Sequence, residues 1–470
     1  MDHNNSKDFN ENMLIDVQTQ ISEHEEKLQN LFITAVEKKD KAQIKLLAEE
    51  IHPVDLSLIL EDFEEEDLDF VLNVLDDKML ALILEQCEEE ILAVIMPLIT
   101  SYRTLYLFNY MSKDDIVDIL GTLPLSKRKE IINLMKTGER KVIEALLGYA
   151  QDTAGGIMTT EYIALKGSLT ISQTIEKIRE IAPKTEVIDT IFILSQNWKL
   201  IGTVDLRDIF TATSNQILSD IMDDHIITVY PETDQEEVSL LVSKYNLKTI
   251  AVINQKGGLL GIITVDDIID IMVQEHTEDI LKLGGVSKEE SINSTTTQSI
   301  KMRLPWLLVN LITAFVASFT VSIFEGTIEK VAFLAAAMPI IAGMGGNSGT
   351  QTLSIIIRSI TLGEVSLKDC LHIVRKEVVL AVVNGGITGL LTGIILFVQY
   401  QNPYLGIIIF ISMILNLIIA GIFGVIVPLI LKALKLDPAI ASTVFLTTAT
   451  DVFGFFVFLG LAQMFLPYLL

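Results

Sequence analysis

The segment "TTATDVFGFF" (447–456) sets an aspartate inside an apolar run, and Asp451 is the only charged side chain between Pro438 and Leu470. An ionised carboxylate at the centre of a bilayer costs about 2.5 to 3.5 kcal/mol on insertion scales, so such a residue marks an ion or proton pathway and needs a partner. The basic residues of this half lie in the connections between apolar runs, which leaves protonation, water or a cation. On a helix, Thr443 and Thr447 precede Asp451 by eight and four residues and share its face. A second stretch, "PIIAGMGGNSGTQTLSIII" (339–357), has glycines at 343, 345, 346 and 349 interleaved with Asn347, Ser348, Thr350 and Gln351. Each glycine weakens a helix by about 1 kcal/mol relative to Ala, yet it lets helices approach closely. Threonine, serine, asparagine and backbone carbonyls are hard oxygen donors, and the last two apolar runs contain no Cys or His, which disfavours copper, zinc and iron. Mg²⁺, held through one or two carboxylates while it keeps several waters, suits a lone carboxylate that a two-fold axis doubles. K⁺ or Ca²⁺ would call for more dehydrating oxygens.

The elements that must position these groups are membrane spans, each needing about 20 apolar residues. Five stretches qualify, at 305–324, 331–357, 378–398, 404–431 and 438–466. Lys301 and Arg303 precede the first, Arg358, Lys368, Arg375 and Lys376 lie between the second and third, and Lys432 and Lys435 between the fourth and fifth. The opposite side has only Lys330, so the excess of basic residues predicts a cytosolic N-terminal half and a C-terminus outside.

The net charge of −26 is unevenly spread: residues 301–470 hold nine Lys/Arg and seven Asp/Glu, which leaves 26 basic against 54 acidic residues, net −28, before them. Such a field repels nucleic acid and concentrates cations. Cys87 and Cys370 are the only cysteines, so a disulfide framework or cysteine-based zinc site is not expected. The polar start "MDHNNSKDFNENM" does not read as a cleavable signal peptide.

Residues 1–50 read as a polar extension, its first dozen disordered. Residues 51–149 place apolar side chains at helical spacing, as at Ile51, Val54 and Leu58, punctuated by Pro53, Pro97 and Pro124, and predict a helical, superhelix-like acidic domain. Across 150–273 the chain repeats itself: "GGIMTTEYIAL" returns as "SDIMDDHIITV", and "LIGTVDLRDIF" as "LLGIITVDDII". Each copy, 150–214 and 215–273, reads as strand, helix, strand, strand, helix, and neither buries enough apolar surface alone.

This tandem resembles a CBS-domain pair, through Gly202, Asp205 and Asp208 in one copy and Gly261, Thr264 and Asp267 in the other. The resemblance makes Arg207 and Asp208 candidate nucleotide contacts, ATP among the ligands, although Asp205 stands where a hydroxyl is more usual. Residues 274–303 read as a connecting (plug) helix that turns at Gly284 and Gly285, and 304–470 as the five-helix transmembrane domain. The fold class is thus multidomain: all-α, then an α/β tandem, then membrane helices.

"RLPWLLVNL", "PIIAGMGGNSGTQ" and "TTATDVFGFF", preceded by an acidic helical domain and a CBS pair in that order, resemble the MgtE family of magnesium transporters over nearly the whole chain beyond residue 50. The resemblance implies a homodimer in the plasma membrane whose pore lies between the second and fifth spans, with Asp451 as the pore aspartate. It also implies Mg²⁺ sensing by Asp114 and Asp118 of "DDIVDIL" (Asp115 being a rival), Asp234 and Glu236 of "PETDQEE", Asp267, Glu275, Glu278 and Asp279 of "EHTEDI", and Asp437 of "KLDP". The expected function is a Mg²⁺-selective channel gated by cytosolic Mg²⁺, with Mn²⁺, Co²⁺ and Ni²⁺ as further candidate ions. Two other readings stay open: a divalent cation/proton exchanger using Asp451, and a Mg²⁺-sensing membrane protein without flux. The sequence carries no phosphate loop, His-rich site or nucleophile beside a base, so enzymatic activity is not expected.

Overall fold

The computed structural model describes residues 24–470 except 186, 288, 289, 293 and 366, in two compact units, Met1–Ile268 and Ile269–Leu470. The expectation for the first dozen residues lies outside the described part.

The first unit starts with a helix over 24–37 and continues in helices of 7 to 10 residues from Lys41–Glu50 to Thr137–Leu146. Their shortness follows from caps and prolines: Asp40, Asp76, Thr100 and Ser112 each accept an amide N–H at a helix start. Each helix packs on the one two places along, so Pro53–Glu61, Asp77–Glu85, Ser101–Leu107 and Leu125–Leu134 form one row beside a second. Leu56, Leu72, Leu80, Ile83, Ile95 and Met96 are fully buried between the rows. Arg103 rivets one junction, donating to Asp77 at 2.8 Å and to the carbonyls of Leu72 and Leu75 at 2.7 and 3.2 Å.

Two three-stranded sheets follow, in the order read from the repeat. Strands β1 (Ile163–Lys166), β2 (Thr190–Leu194) and β3 (Leu200–Asp205) form one; β4 (Thr228–Val229), β5 (Thr249–Ile253) and β6 (Leu259–Thr264) form the other. In each, the first strand runs parallel to the second and the third antiparallel. The parallel pairs need crossovers, supplied by the helices Ile171–Ile181 and Gln235–Tyr245. The copies are interlocked by their repeated residues: Met158 packs against Gly261 and Met222 against Gly202, with no room for a Cβ at either glycine. Phe192, Ala251 and Ile262 then form one core shared by both copies, which is how two small sheets bury enough surface.

The helix after β6 runs unbroken over Val265–Leu283 and ends where Gly285 takes the left-handed conformation (φ +72°). In the second unit, Leu283 packs on a core of Leu353, Ile357, Ala439 and Leu446. Among the described residues, four helices there are long and apolar enough to cross a membrane: Thr296–Ser322, Cys370–Tyr400, Pro403–Ala433 and Ser442–Met464, the last lying within Pro438–Met464. The helix Phe333–Thr361 has comparable length, 29 residues, but its glycines, amides and hydroxyls dilute its apolar character. Small residues set the packing, with Gly385, Gly389 and Gly393 pressed against the backbone of Ile414, Phe410 and Gly406 on Pro403–Ala433.

Candidate functional site

Asp451 sits mid-way along Pro438–Met464, half-buried, and among the described residues no side chain donates to it or pairs with it. Thr447, one turn earlier, is exposed and bonds the Thr443 carbonyl at 2.8 Å. Thr443 itself donates to the carbonyl of Leu283 at 3.2 Å, tying the start of Pro438–Met464 to the end of Val265–Leu283. On Phe333–Thr361, Asn347, Thr350 and Gln351 are exposed, while Gly345 and Gly349 are buried, so the polar and packing faces are distinct. Gly349 lies flat against Leu446, which makes Phe333–Thr361 and Pro438–Met464 neighbours.

Asp437 caps that last helix, accepting from the Ala439 amide at 2.7 Å, and the following Pro438 fills the first helical position. The Lys282 ammonium pairs with both Asp437 and Glu278. Burial alone would lower the lysine's pKa, but its two carboxylates outweigh that and raise it, so the ammonium stays charged. Asp279 accepts from Thr361 Oγ1 at 2.9 Å and is pushed upward mainly by burial. Glu275 lies one turn back on the same helix. Glu278 and Asp279 of this helix are therefore held by protein groups, with Lys282 between Glu278 and the Asp437 cap of the other helix. Spacing along the chain gave no sign of this, since Lys282 and Asp437 are 155 residues apart.

The first unit gathers a second acidic group. Ser112 donates to Asp114 at 2.6 Å and to Asp115 at 2.5 Å, while Thr264 donates to Asp267. Burial first, and neighbouring carboxylates second, push Asp115 and Asp267 each up to about 6. Glu85 rises to about 7, by burial and then by the charges of Asp115 and Asp114. Asp118 shifts the same way, though its side chain remains open to solvent, and the charges acting on it include Asp267. Lys113 pairs with Glu161 at 2.6 Å beside the group. Asp114, Asp118 and Asp267 are thus brought together, joined by Asp115, the rival position, and by Glu85, which sequence reasoning missed. Glu85 closes its helix Asp77–Glu85, and no local motif marks it.

Asp234 and Glu236 occur elsewhere, at the start of Gln235–Tyr245, where Asp234 accepts from the Glu236 amide at 2.8 Å as the cap. Arg207 and Asp208 are neighbours in the first turn of Leu206–Thr211, their charged atoms 3.7 Å apart and both open to a ligand. Asp223, Asp224 and His225 bring ligand atoms within 4.8 Å of one another, all exposed.

Clustered carboxylates in the first unit and, in the second, membrane-length helices with an acid unpaired among the described residues define a membrane protein of the cation-transporter class. Residues 338–461 match the divalent cation transporter domain of MgtE, 51–152 the MgtE intracellular N domain, and 154–215 and 218–274 the CBS domain. The chain belongs to the MgtE family. It is 30% identical over 358 residues to the magnesium transporter MgtE of Bacillus subtilis (76% of this chain, 79% of the relative) and 32% identical over 365 residues to that of Thermus thermophilus (76% and 80%). Among solved structures, the cytosolic domain of the Mg²⁺ channel MgtE in complex with ATP aligns at 29% identity and TM-score 0.50, covering 52% of this chain and 99% of that one.

Proposed function

We propose that the chain is a Mg²⁺-selective channel of the plasma membrane, working as a homodimer of five-span subunits with the acidic units in the cytosol. The observation that carries this reading is the polar face of a single chain. Asn347, Thr350, Gln351 and Thr447 face outward from the bundle, and Asp451 has no protein partner among the described residues. Polar groups at membrane depth are costly against lipid, so such a face calls for protein cover or water. A second copy about a two-fold axis supplies both and sets two Asp451 carboxylates across one pathway. Two carboxylates with hydroxyls and amides suit an ion that keeps its waters, which favours Mg²⁺ and leaves Mn²⁺, Co²⁺ and Ni²⁺ as competitors.

Gating follows from the same chemistry in the soluble unit. Asp115, Asp118, Asp267 and Glu85 resist ionising beside the charge of Asp114, so a divalent cation would relieve the repulsion among the five and draw their elements together. At high cytosolic Mg²⁺ this state closes the pathway through the connecting helix. Glu275, Glu278, Asp279 and Asp437 are sensing residues in the same proposal, as are Asp234 and Glu236. ATP at Arg207 and Asp208 completes it, supported by their openness and by the related cytosolic domain that holds ATP.

Reconstituted liposomes loaded with a Mg²⁺-sensitive dye test the pathway. Wild-type protein should admit Mg²⁺ and Asp451→Asn should cut the initial rate by at least about tenfold, since intramembrane carboxylates are functional. Equal rates in the two proteins would remove the reading.

A further inference from the structure

The helix Pro403–Ala433 is the most buried of the four apolar spans, and at its centre lies Asn416, fully buried. Its Nδ2 donates to the Ile341 carbonyl on Phe333–Thr361 at 2.8 Å, while Oδ1, equally buried, has no hydrogen-bond partner among the described residues. A half-satisfied amide costs more than a leucine of similar volume would. Its placement explains its presence. One side of the carboxamide lies against Gly345 of the second span, where an added Cβ would overlap Nδ2, and the other against Gly454 of the fifth, where a Cβ would come within 2.7 Å of Oδ1. Gly345 is two residues from Asn347 and Gly454 three from Asp451, so one side chain seats both helices that carry the polar face.

We infer that Asn416 is a positioning residue for ion discrimination: keyed into the Gly345 and Gly454 notches, it fixes the spacing and rotation of the second and fifth spans, and hence the opening at Asp451. This rests on the proposed role of Asp451 in the pathway. Close-packed interiors transmit small changes of volume, so shortening the key lets the two helices settle into a different spacing. An opening shaped around a largely hydrated Mg²⁺ then loses its fit, and the ratio of Mg²⁺ to Co²⁺ flux changes before the protein unfolds.

The test compares full-length wild type, Asn416→Ala, Gly454→Ala and the double variant Asn416→Ala/Gly454→Ala in liposomes, reading the Mg²⁺/Co²⁺ flux ratio together with thermal stability. Each single variant should lower the ratio by about tenfold, in line with the sensitivity of positioned sites to shifts near 1 Å. The double variant, whose added methyl occupies the space the shortened side chain leaves, should recover most of that loss. Gly454→Ala keeps the amide and removes only its seat, so it reads the inference independently if Asn416→Ala does not fold. An unchanged ratio in the folded variants, with only stability altered, would reduce Asn416 to a packing residue. Asp451→Asn run in parallel separates the two failures. If it abolishes flux while the Asn416 and Gly454 variants keep the wild-type ratio, this inference alone falls; if it changes nothing, the pathway reading falls with it.

Discussion

Replacing Lys282 by glutamine tests the hold on the connecting helix. The ammonium lies between Glu278 and Asp437, and the three side chains are only 17, 13 and 28% exposed. Removing one partner costs about 3 to 5 kcal/mol where a pair is fully buried and less than about 1 kcal/mol where it is exposed. At this intermediate burial about 2 kcal/mol is expected, close to a 30-fold shift between docked and released helix. The variant also takes the shared ammonium from between the two carboxylates, a site that a divalent ion can fill. Limited proteolysis of the stretch joining Leu283 to Thr296, on full-length protein in nanodiscs, reads the released population when opening is fast relative to cleavage. In metal-free buffer Lys282→Gln should be cut about 30-fold faster than wild type, and millimolar Mg²⁺ should restore most of the protection. Equal cleavage of the two proteins without metal would refute the reasoning. So would faster cleavage that Mg²⁺ leaves unchanged.

Other outcomes follow from the first unit. Glu85, Asp115 and Asp267 hold their protons up to about 7, 6 and 6, against ordinary values of 4.5, 3.8 and 3.8, so their contribution to stability is complete below the ordinary values and is lost as pH rises through 6 to 7. The metal-free unit should therefore melt at lower temperature as pH rises from 5 to 8, and the Tm gain on adding Mg²⁺ should grow over the same range; differential scanning fluorimetry with a flat pH dependence would contradict this. Arg103→Ala leaves the Leu72 and Leu75 carbonyls and Asp77 without this donor and should cost about 2 to 3 kcal/mol, read from denaturant unfolding of the first unit. Arg207→Ala should weaken ATP binding by about tenfold or more through loss of a charge-assisted contact, while Mg²⁺ uptake without nucleotide stays at the wild-type rate. Calorimetry that finds equal ATP affinity would remove Arg207 from the nucleotide contacts.

Much of this architecture is legible along the chain because it rests on local chemistry. The repeat announces itself through Met158 and Met222, Gly202 and Gly261, and the same residues interlock the two copies. Pro438 opens both the last apolar run of the sequence and the helix Pro438–Met464, and Gly284 with Gly285 make the turn read within 274–303. The run at 331–357 reads as a span by its length, while the glycines and amides on the polar face of Phe333–Thr361 lower its hydropathy. What local pattern could not show is long-range pairing. Lys282 between Glu278 and Asp437, Glu85 beside Asp114 and Asp115, and Asn416 between two glycines on separate helices each depend on elements far apart in sequence. A lone asparagine in an apolar run gives no hint of which helices it joins.

Single-channel recording of the purified protein in planar bilayers, with Mg²⁺ varied independently on each side, tests the central claim most directly. The account predicts unitary Mg²⁺ currents that need no pH gradient, that close as Mg²⁺ rises to millimolar levels on the side of the acidic units, and that vanish in Asp451→Asn. Flux that appears only with a proton gradient and never as unitary current, or currents indifferent to the loss of the Asp451 carboxylate, would contradict it.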